Sequence, residues 1–233
     1  MESPTWSPLT ERGDVLRLRY SFGPGKANAL AVKLDARRWM VVSPPIAPPP
    51  EVFSALDAEG EVAVLLAPNA YHHLGQAAWR ARYPDAVSYA PRGARERLAA
   101  RSPVPYRGTE ELAERLPPGV AVILPDGQKR PDALVRITTG DETVWWMGDL
   151  FSNTTSADAT WPLRVLSRLV GSGPGYRCNS WPEMVYVRDR AAWLRSIRAA
   201  LEPRPPTIVV PAHGHPVTEE TAARTAALIA RAG

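Results

Sequence analysis

Apolar and polar residues alternate along residues 14–22 (DVLRLRYSF), the period of a strand with one buried face. Residues 28–34 (NALAVKL) and 38–43 (RWMVVS) continue the pattern after a Gly23-Pro24-Gly25 turn, so the chain opens as antiparallel β structure. The period then changes. Residues 50–58 predict a short helix that stops at Glu59-Gly60. Residues 61–67 (EVAVLLA) are almost continuously apolar, as in a strand buried on both faces. Helical segments at 74–82 and 92–101 then flank a short strand at 86–90, and this alternation implies parallel pairing in an α/β layer.

The second part of the chain repeats that order. Residues 119–124, 132–138 and 143–148 predict strands, the last two joined by a turn at Thr139-Gly140-Asp141-Glu142. Residues 161–171 and 189–201 have helical apolar spacing, residues 207–210 (TIVV) form a last strand, and a closing helix spans 218–232 with Glu219 and Glu220 in its first turn. No Gly/Ser linker or short repeat interrupts the order. The expectation is one domain over residues 1–233, built of two β-rich/α halves whose sheets pack face to face with helices outside.

Composition narrows the function more than the fold. Hydrophobic residues make up 45% of the 233, enough for a sizeable core, and the 25 prolines cluster in connections such as Pro48-Pro49-Pro50 and Pro205-Pro206. The net charge of +4 comes from arginines scattered at helix-like spacing, with lysine only at Lys26, Lys33 and Lys129. No clustered basic face marks a nucleic-acid partner, and the arginines read as solvated helix faces. The single cysteine, Cys178, excludes an intrachain disulfide and a CxxC metal knuckle. No signal-peptide pattern begins at Met1, and no apolar run reaches the ~18 residues of a membrane span, so a cytoplasmic protein with a small-molecule substrate or ligand is expected.

The chemistry concentrates in three loops. The four histidines form two groups, His72-His73 and His213/His215, and each group follows a predicted buried strand. Asp149 follows a third such strand, after Trp145-Trp146-Met147-Gly148. Sites in α/β layers sit outside the C-terminal ends of strands, so these loops can meet. Imidazole and carboxylate together suit zinc, iron or manganese. Each loop by itself is more often a turn or a surface group than a ligand; the three together shift the balance towards a site.

A His-rich loop opening a helix, Gly148-Asp149-Leu150-Phe151 after a later strand, and Val210-Pro211-Ala212-His213-Gly214 after the last strand together resemble the metallo-β-lactamase fold superfamily, in order and over nearly the whole chain. The resemblance implies a four-layer αββα sandwich, mixed α/β in class. It also shows where this chain departs. Laying the family's His-x-His-x-Asp-His on residues 68–73 puts Pro68 and Ala70 where histidines belong, His72 in place of the aspartate, and His73 on the last histidine. The family's further histidine should fall near Pro125-Asp126-Gly127-Gln128, where there is none. The first metal site has therefore lost its histidines, while a second site remains available from His72, His73 and His213 with Asp149.

The resemblance thus implies one divalent metal ion, zinc ahead of iron or manganese, in a metal-dependent hydrolase of unspecified substrate. Asp149 is a candidate ligand of that ion together with His72, His73 and His213, or instead the candidate catalytic residue that orients a water as general base, and Asp126 or Asn69 are candidate partners behind the ligands. The alternatives are a non-catalytic metal- or ligand-binding relative and a redox iron centre. His215 reads as a polar rim residue. Gly171-Ser172-Gly173-Pro174-Gly175 lacks the Lys-Ser/Thr of a phosphate loop and reads as a loop bordering the site, with Trp161 and Trp181 as candidate pocket walls.

Overall fold

The computed structural model describes residues 5–23, 25–102, 104–158, 161–169 and 173–232. The first sheet has seven strands in sequence order: β1 (Ser7–Pro8), β2 (Val15–Ser21), β3 (Lys26–Lys33), β4 (Arg38–Val42), β5 (Glu61–Leu66), β6 (Val87–Ala90) and β7 (Tyr106–Gly108). β1 to β4 pair antiparallel through short turns. From β4 to β7 the pairing is parallel, because α1 (Pro50–Asp57), α2 (Gln76–Arg82) and α3 (Arg95–Arg101) return the chain to the same edge. A short α4 (Thr109–Ala113) then leads to the second sheet.

That sheet is built from β8 (Val120–Ile123), β9 (Leu134–Thr139) and β10 (Glu142–Trp146), and it is completed after a long excursion by β13. The excursion contains β11 (Phe151–Thr154), α5 (Trp161–Leu169), β12 (Gly175–Cys178), α6 (Ser180–Tyr186) and α7 (Arg190–Leu201). Then come β13 (Ile208–Val210), β14 (His213–Gly214) and α8 (Thr221–Ala232). β13 lies parallel to β10, with Trp146 opposite Val210. β12, β11 and β14 make a small third sheet in which Ser152 is opposite His213.

The period of two sorts each strand between layers. Leu30, Val32, Met40, Val42 and Leu66 from the first sheet meet Val135, Ile137, Val144, Trp146 and Val210 from the second in one buried core. The intervening residues Ala29, Ala31, Trp39, Val41 and Leu65 point the other way, onto Val52 and Leu56 of α1 and Trp79 of α2. Trp145, Met147 and Val209 do the same on the far side, packing on Trp193, Leu194 and Ile197 of α7 and Ile229 of α8. The result is helix, sheet, sheet, helix: the αββα sandwich expected.

Most long elements begin and end within a few residues of their expected bounds. The closing helix differs. It starts at Thr221, because Glu220 takes a left-handed φ of +47° that ends any helical run before it, so Glu219 and Glu220 lie ahead of the helix. The expected 161–171 helix is described to Leu169; its last two residues, including Gly171, lie outside the described residues. β1, β7, β11, β12, β14, α4 and α6 have no clear counterpart in the sequence pattern, being short elements held by neighbours. No helix among the described residues is long and apolar enough to cross a membrane.

Leu30 is fully buried at the interface of the two sheets, whereas Leu124 is 43% exposed. Leu30→Ala is expected to lower the unfolding free energy by about 2–5 kcal/mol, and Leu124→Ala to change it by under about 0.5 kcal/mol. Urea denaturation of the two variants beside the parent checks both values.

Candidate metal centre

The two sheets bring three strand ends to one rim. β10 runs out through Gly148 into Asp149, and β13, its parallel neighbour, runs out through Ala212 into His213. The Ala212 amide donates to the Gly148 carbonyl at 2.9 Å, which keeps the two exits side by side. The first sheet contributes the third exit. After β5, the Asn69 side-chain carbonyl accepts from the Tyr71 amide at 2.8 Å and the His72 amide at 3.3 Å, and this local turn aims His72 at Asp149.

Asp149 is the centre of the arrangement. Its Oδ1 lies 3.0 Å from His72 Nε2 and 3.3 Å from His213 Nε2. Its Oδ2 accepts from Tyr186 Oη at 2.7 Å and Asn69 Nδ2 at 3.1 Å. The other imidazole nitrogens are also held: His213 Nδ1 lies 2.9 Å from the Lys26 carbonyl, and His72 Nδ1 lies 2.5 Å from Ser43 Oγ. Ser43 follows β4 with a left-handed φ of +55°, which turns its hydroxyl towards His72 and within 3.4 Å of Tyr20 Oη. Asn28 pins the third loop from β3, its Nδ2 donating to the carbonyls of Pro211 (2.8 Å) and Gly214 (3.0 Å).

Behind Asp149 sits a second buried carboxylate, Asp132. It accepts the Asp149 amide at 2.9 Å and Asn69 Nδ2 at 2.9 Å, so the two acids share one asparagine. Gly148 makes this possible: its φ is +62°, and a Cβ there would stand 2.3 Å from Asp132 Oδ2. Burial and the Asp149 charge raise the pKa of Asp132. Burial would raise Asp149 as well, but His72 and His213 outweigh it and hold that carboxyl well below its usual range. For His213, burial works downwards and Asp149 reverses it, so its pKa is raised. Burial raises Tyr186, and the two carboxylates add to the effect, which keeps the phenol protonated as a donor.

Of the expected residues, His72, Asp149 and His213 come together, with one ligand atom from each lying within 4.8 Å of the others. His73 does not join them. Consecutive side chains in the turn diverge, and His73 faces Arg97 and Arg101, where burial first and these two charges next lower its pKa. His215 lies outside as well, its Nε2 3.5 Å from Asp158, which also pairs with Arg19. Asp126 is exposed and its amide is bonded to Ser196, so it supports nothing here; Asn69 does, as a donor to both carboxylates. Trp161 is 70% exposed and does not line the cavity; the Trp181 side chain and Ser172 lie outside the described residues. Burial raises the Cys178 thiol to about 12, with Glu183 adding to the effect, so it is a poor nucleophile.

The donor set fits a metal ion. Three ligands held at ~2.0 Å around a tetrahedral ion stand ~3.3 Å apart, and the two spacings to Asp149 Oδ1 are 3.0 and 3.3 Å. Both imidazoles are oriented from behind by an oxygen, as metal-bound histidines are. A cavity of about 120 Å³ opens over these groups, walled by Tyr20, Phe22, Pro44, Tyr71 and Leu74.

No family model matches the chain, and no curated protein matches it in sequence. Solved structures do match. The metallo-β-lactamase DIM-1 aligns with a TM-score of 0.63 at 15% identity, over 100% of this chain and 99% of that one. The metallo-β-lactamase FIM-1 from Pseudomonas aeruginosa, solved in a mono-zinc form, gives 0.63 at 15%, over 99% and 96%. A metallo-β-lactamase from Hirschia baltica gives 0.61 at 12%, over 98% of each chain. The chain has the metallo-β-lactamase fold, and at these identities the likeness is one of fold.

Two expectations follow from the carboxylate geometry. Asn69→Ala leaves Asp132 and Asp149 each short of a donor and is expected to lower stability by about 1.5–3 kcal/mol, read by urea denaturation. Asp158 is the second case. Burial acts to raise its carboxyl, but the Thr155 amide and Arg19 lower it below the usual range. Its stabilising contribution is therefore present above the unfolded value near ~3.9 and is lost as pH falls through the folded value. Asp158→Asn should cost about 1 kcal/mol at pH 7, and the difference should narrow on acidification below about pH 4.

Proposed function

We propose that this protein is a hydrolase working with a single divalent metal ion, held by His72, Asp149 and His213. The observation that carries the proposal is the orientation of His213. Its Nδ1 faces the Lys26 carbonyl, which only accepts, so Nδ1 carries the proton. A neutral His213 then presents the lone pair of Nε2 to Asp149 Oδ1 at 3.3 Å, itself a lone-pair donor. A metal ion between them would give both lone pairs a partner. His72 Nε2 reaches the same oxygen, which makes three donors for that cation rather than two.

One carboxylate and two neutral imidazoles form the N₂O set of a catalytic zinc site with positions left for water or substrate. Zinc is proposed ahead of iron or manganese on this nitrogen-rich set. When bound, such an ion polarises an acyl or phosphoryl oxygen and lowers the pKa of a water. The chain's own residues hold the rest. Asn69 and Tyr186 occupy Asp149 Oδ2, so the carboxylate has Oδ1 free for the cation and is fixed in direction. Asp149 therefore serves as a ligand in this proposal, the first of the two roles expected from the sequence, and not as a free water-orienting base. Ser43 fixes the ring of His72, and Tyr20, Phe22 and Leu74 wall the cavity against bulk water. The mono-zinc form of FIM-1 is a precedent for one ion on this fold.

The protein is expected to take up about one equivalent of zinc, measured by elemental analysis after dialysis. His72→Ala, Asp149→Ala and His213→Ala should abolish uptake, and His73→Ala should retain it. Ser43→Ala should weaken zinc about 10–100-fold. A wild-type protein that takes up no metal sinks the proposal and leaves an imidazolium–carboxylate cluster in a non-catalytic relative.

A further inference from the structure

We infer that the molecule taken into this site carries an oxyanion, a carboxylate or phosphate ester, that docks on Arg97 and Arg130 beside Tyr71. The inference rests on the preceding reading only in taking the cavity as a small-molecule site. Tyr71 is the residue through which cavity and surface meet. Its ring lines the cavity and packs edge-on against Tyr186, centroids 5.8 Å apart, and Tyr186 in turn donates to Asp149. Tyr71 also carries two positive charges. The Arg97 guanidinium lies over the ring, 4.5 Å from its centroid, and Arg130 Nη1 donates to the Tyr71 hydroxyl at 2.7 Å.

Two guanidiniums thus sit on one tyrosine, one at its face and one at its tip. Arg101 stands one helical turn beyond Arg97 on α3, on the same face, where like charges at this spacing repel. Nothing among the described residues neutralises this group. The nearby acids are committed elsewhere, Glu110 to Arg95 at 3.8 Å and Glu111 to Arg107 at 4.0 Å, and no ion pair engages Arg97, Arg101 or Arg130. All three are exposed, so their remaining N–H donors face solvent, and Arg97 and Arg130 reach the cavity through Tyr71, which lines it. The cavity walls are apolar and aromatic and hold no cation of their own. A ligand that places an uncharged part in the cavity and its anionic end outside meets both surfaces. A planar guanidinium fork is the group best matched to a carboxylate or phosphate.

The test is binding of three probes to chelator-stripped protein by calorimetry: 4-phenylbutyrate, 2-phenylethyl phosphate and neutral 4-phenylbutyramide. The aromatic body is common and only the end group changes. At least one anion is expected to bind roughly tenfold or more tightly than the amide, and the tighter of the two identifies the oxyanion. Arg97→Ala and Arg130→Ala should each erase most of that preference. Arg231→Ala, an exposed arginine on α8, should leave it intact. Equal binding of all three probes, a preference that survives both variants, or an equal loss in the Arg231 control overturns the inference. Because the protein is metal-free in this experiment, the result is independent of zinc uptake and hydrolysis, and failure of either reading is seen separately.

Discussion

Asp149 is a buried carboxylate placed where two sheets meet, and a charge in that position has to be balanced or the rim cannot close. His72 and His213 take one oxygen, and Tyr186 and Asn69 take the other. These partners come from three separate stretches of chain: the loop after β5 that carries Asn69 and His72, the exit of β13, and the end of α6. The requirement to satisfy one group therefore fixes the relative position of both sheets and one outer helix. Asp132 extends the constraint. It takes the Asp149 amide and shares Asn69, and its contact with Gly148 excludes any side chain there.

This dependence explains two left-handed residues at the rim. Gly148 and Ser43 both have positive φ, and each serves the same cluster, one by letting Asp132 approach and the other by aiming a hydroxyl at His72. Left-handed conformations in non-glycine residues cost about 1–3 kcal/mol and persist where surrounding contacts over-determine them. Here the surrounding contacts are the sheet ladder, in which Ser43 donates to the Leu66 carbonyl at 2.9 Å, and the buried apolar layer beneath. Stability and site geometry are thus supplied by the same residues. The chemistry sits above the inter-sheet core, not beside it.

The polarity of the site changes over a short distance. Its floor is ionic and fully hydrogen-bonded, its walls are aromatic, and its outer edge at Tyr71 is cationic. A donor set of two imidazoles and one carboxylate, rather than the fuller histidine set of the resemblance, lies at the ionic end of this gradient. The same reduction accounts for the departures at Pro68 and Ala70. Pro68 uses its carbonyl to accept the Ala133 amide at 2.9 Å, and Ala70 is buried in a small apolar cluster with Ala67, Ala90, Ala94 and Leu98.

The sequence by itself determined the layers. Alternation along β2, β3, β4, β9 and β10 decides which residues face the inter-sheet core, and continuous apolarity in β5 marks a strand buried on both sides, because a period of two allows nothing else. It also placed His72, Asp149 and His213 at the ends of buried strands, where they can meet; that β5 brings His72 from the other sheet to the rim of β10 and β13 was a tertiary outcome. Tertiary structure alone decided the rest. Whether His72 or His73 turns inwards depends on the Asn69 turn and on Ser43, which is 29 positions away from His72. Asp132 and Tyr186 carried no local signal, being an acid at a strand start and an aromatic in a short helix, and both became partners of Asp149 through contacts between distant segments. A hydrogen bond across the fold depends on where two backbones are placed to within about an ångström, and periodicity specifies a face, not a position on it.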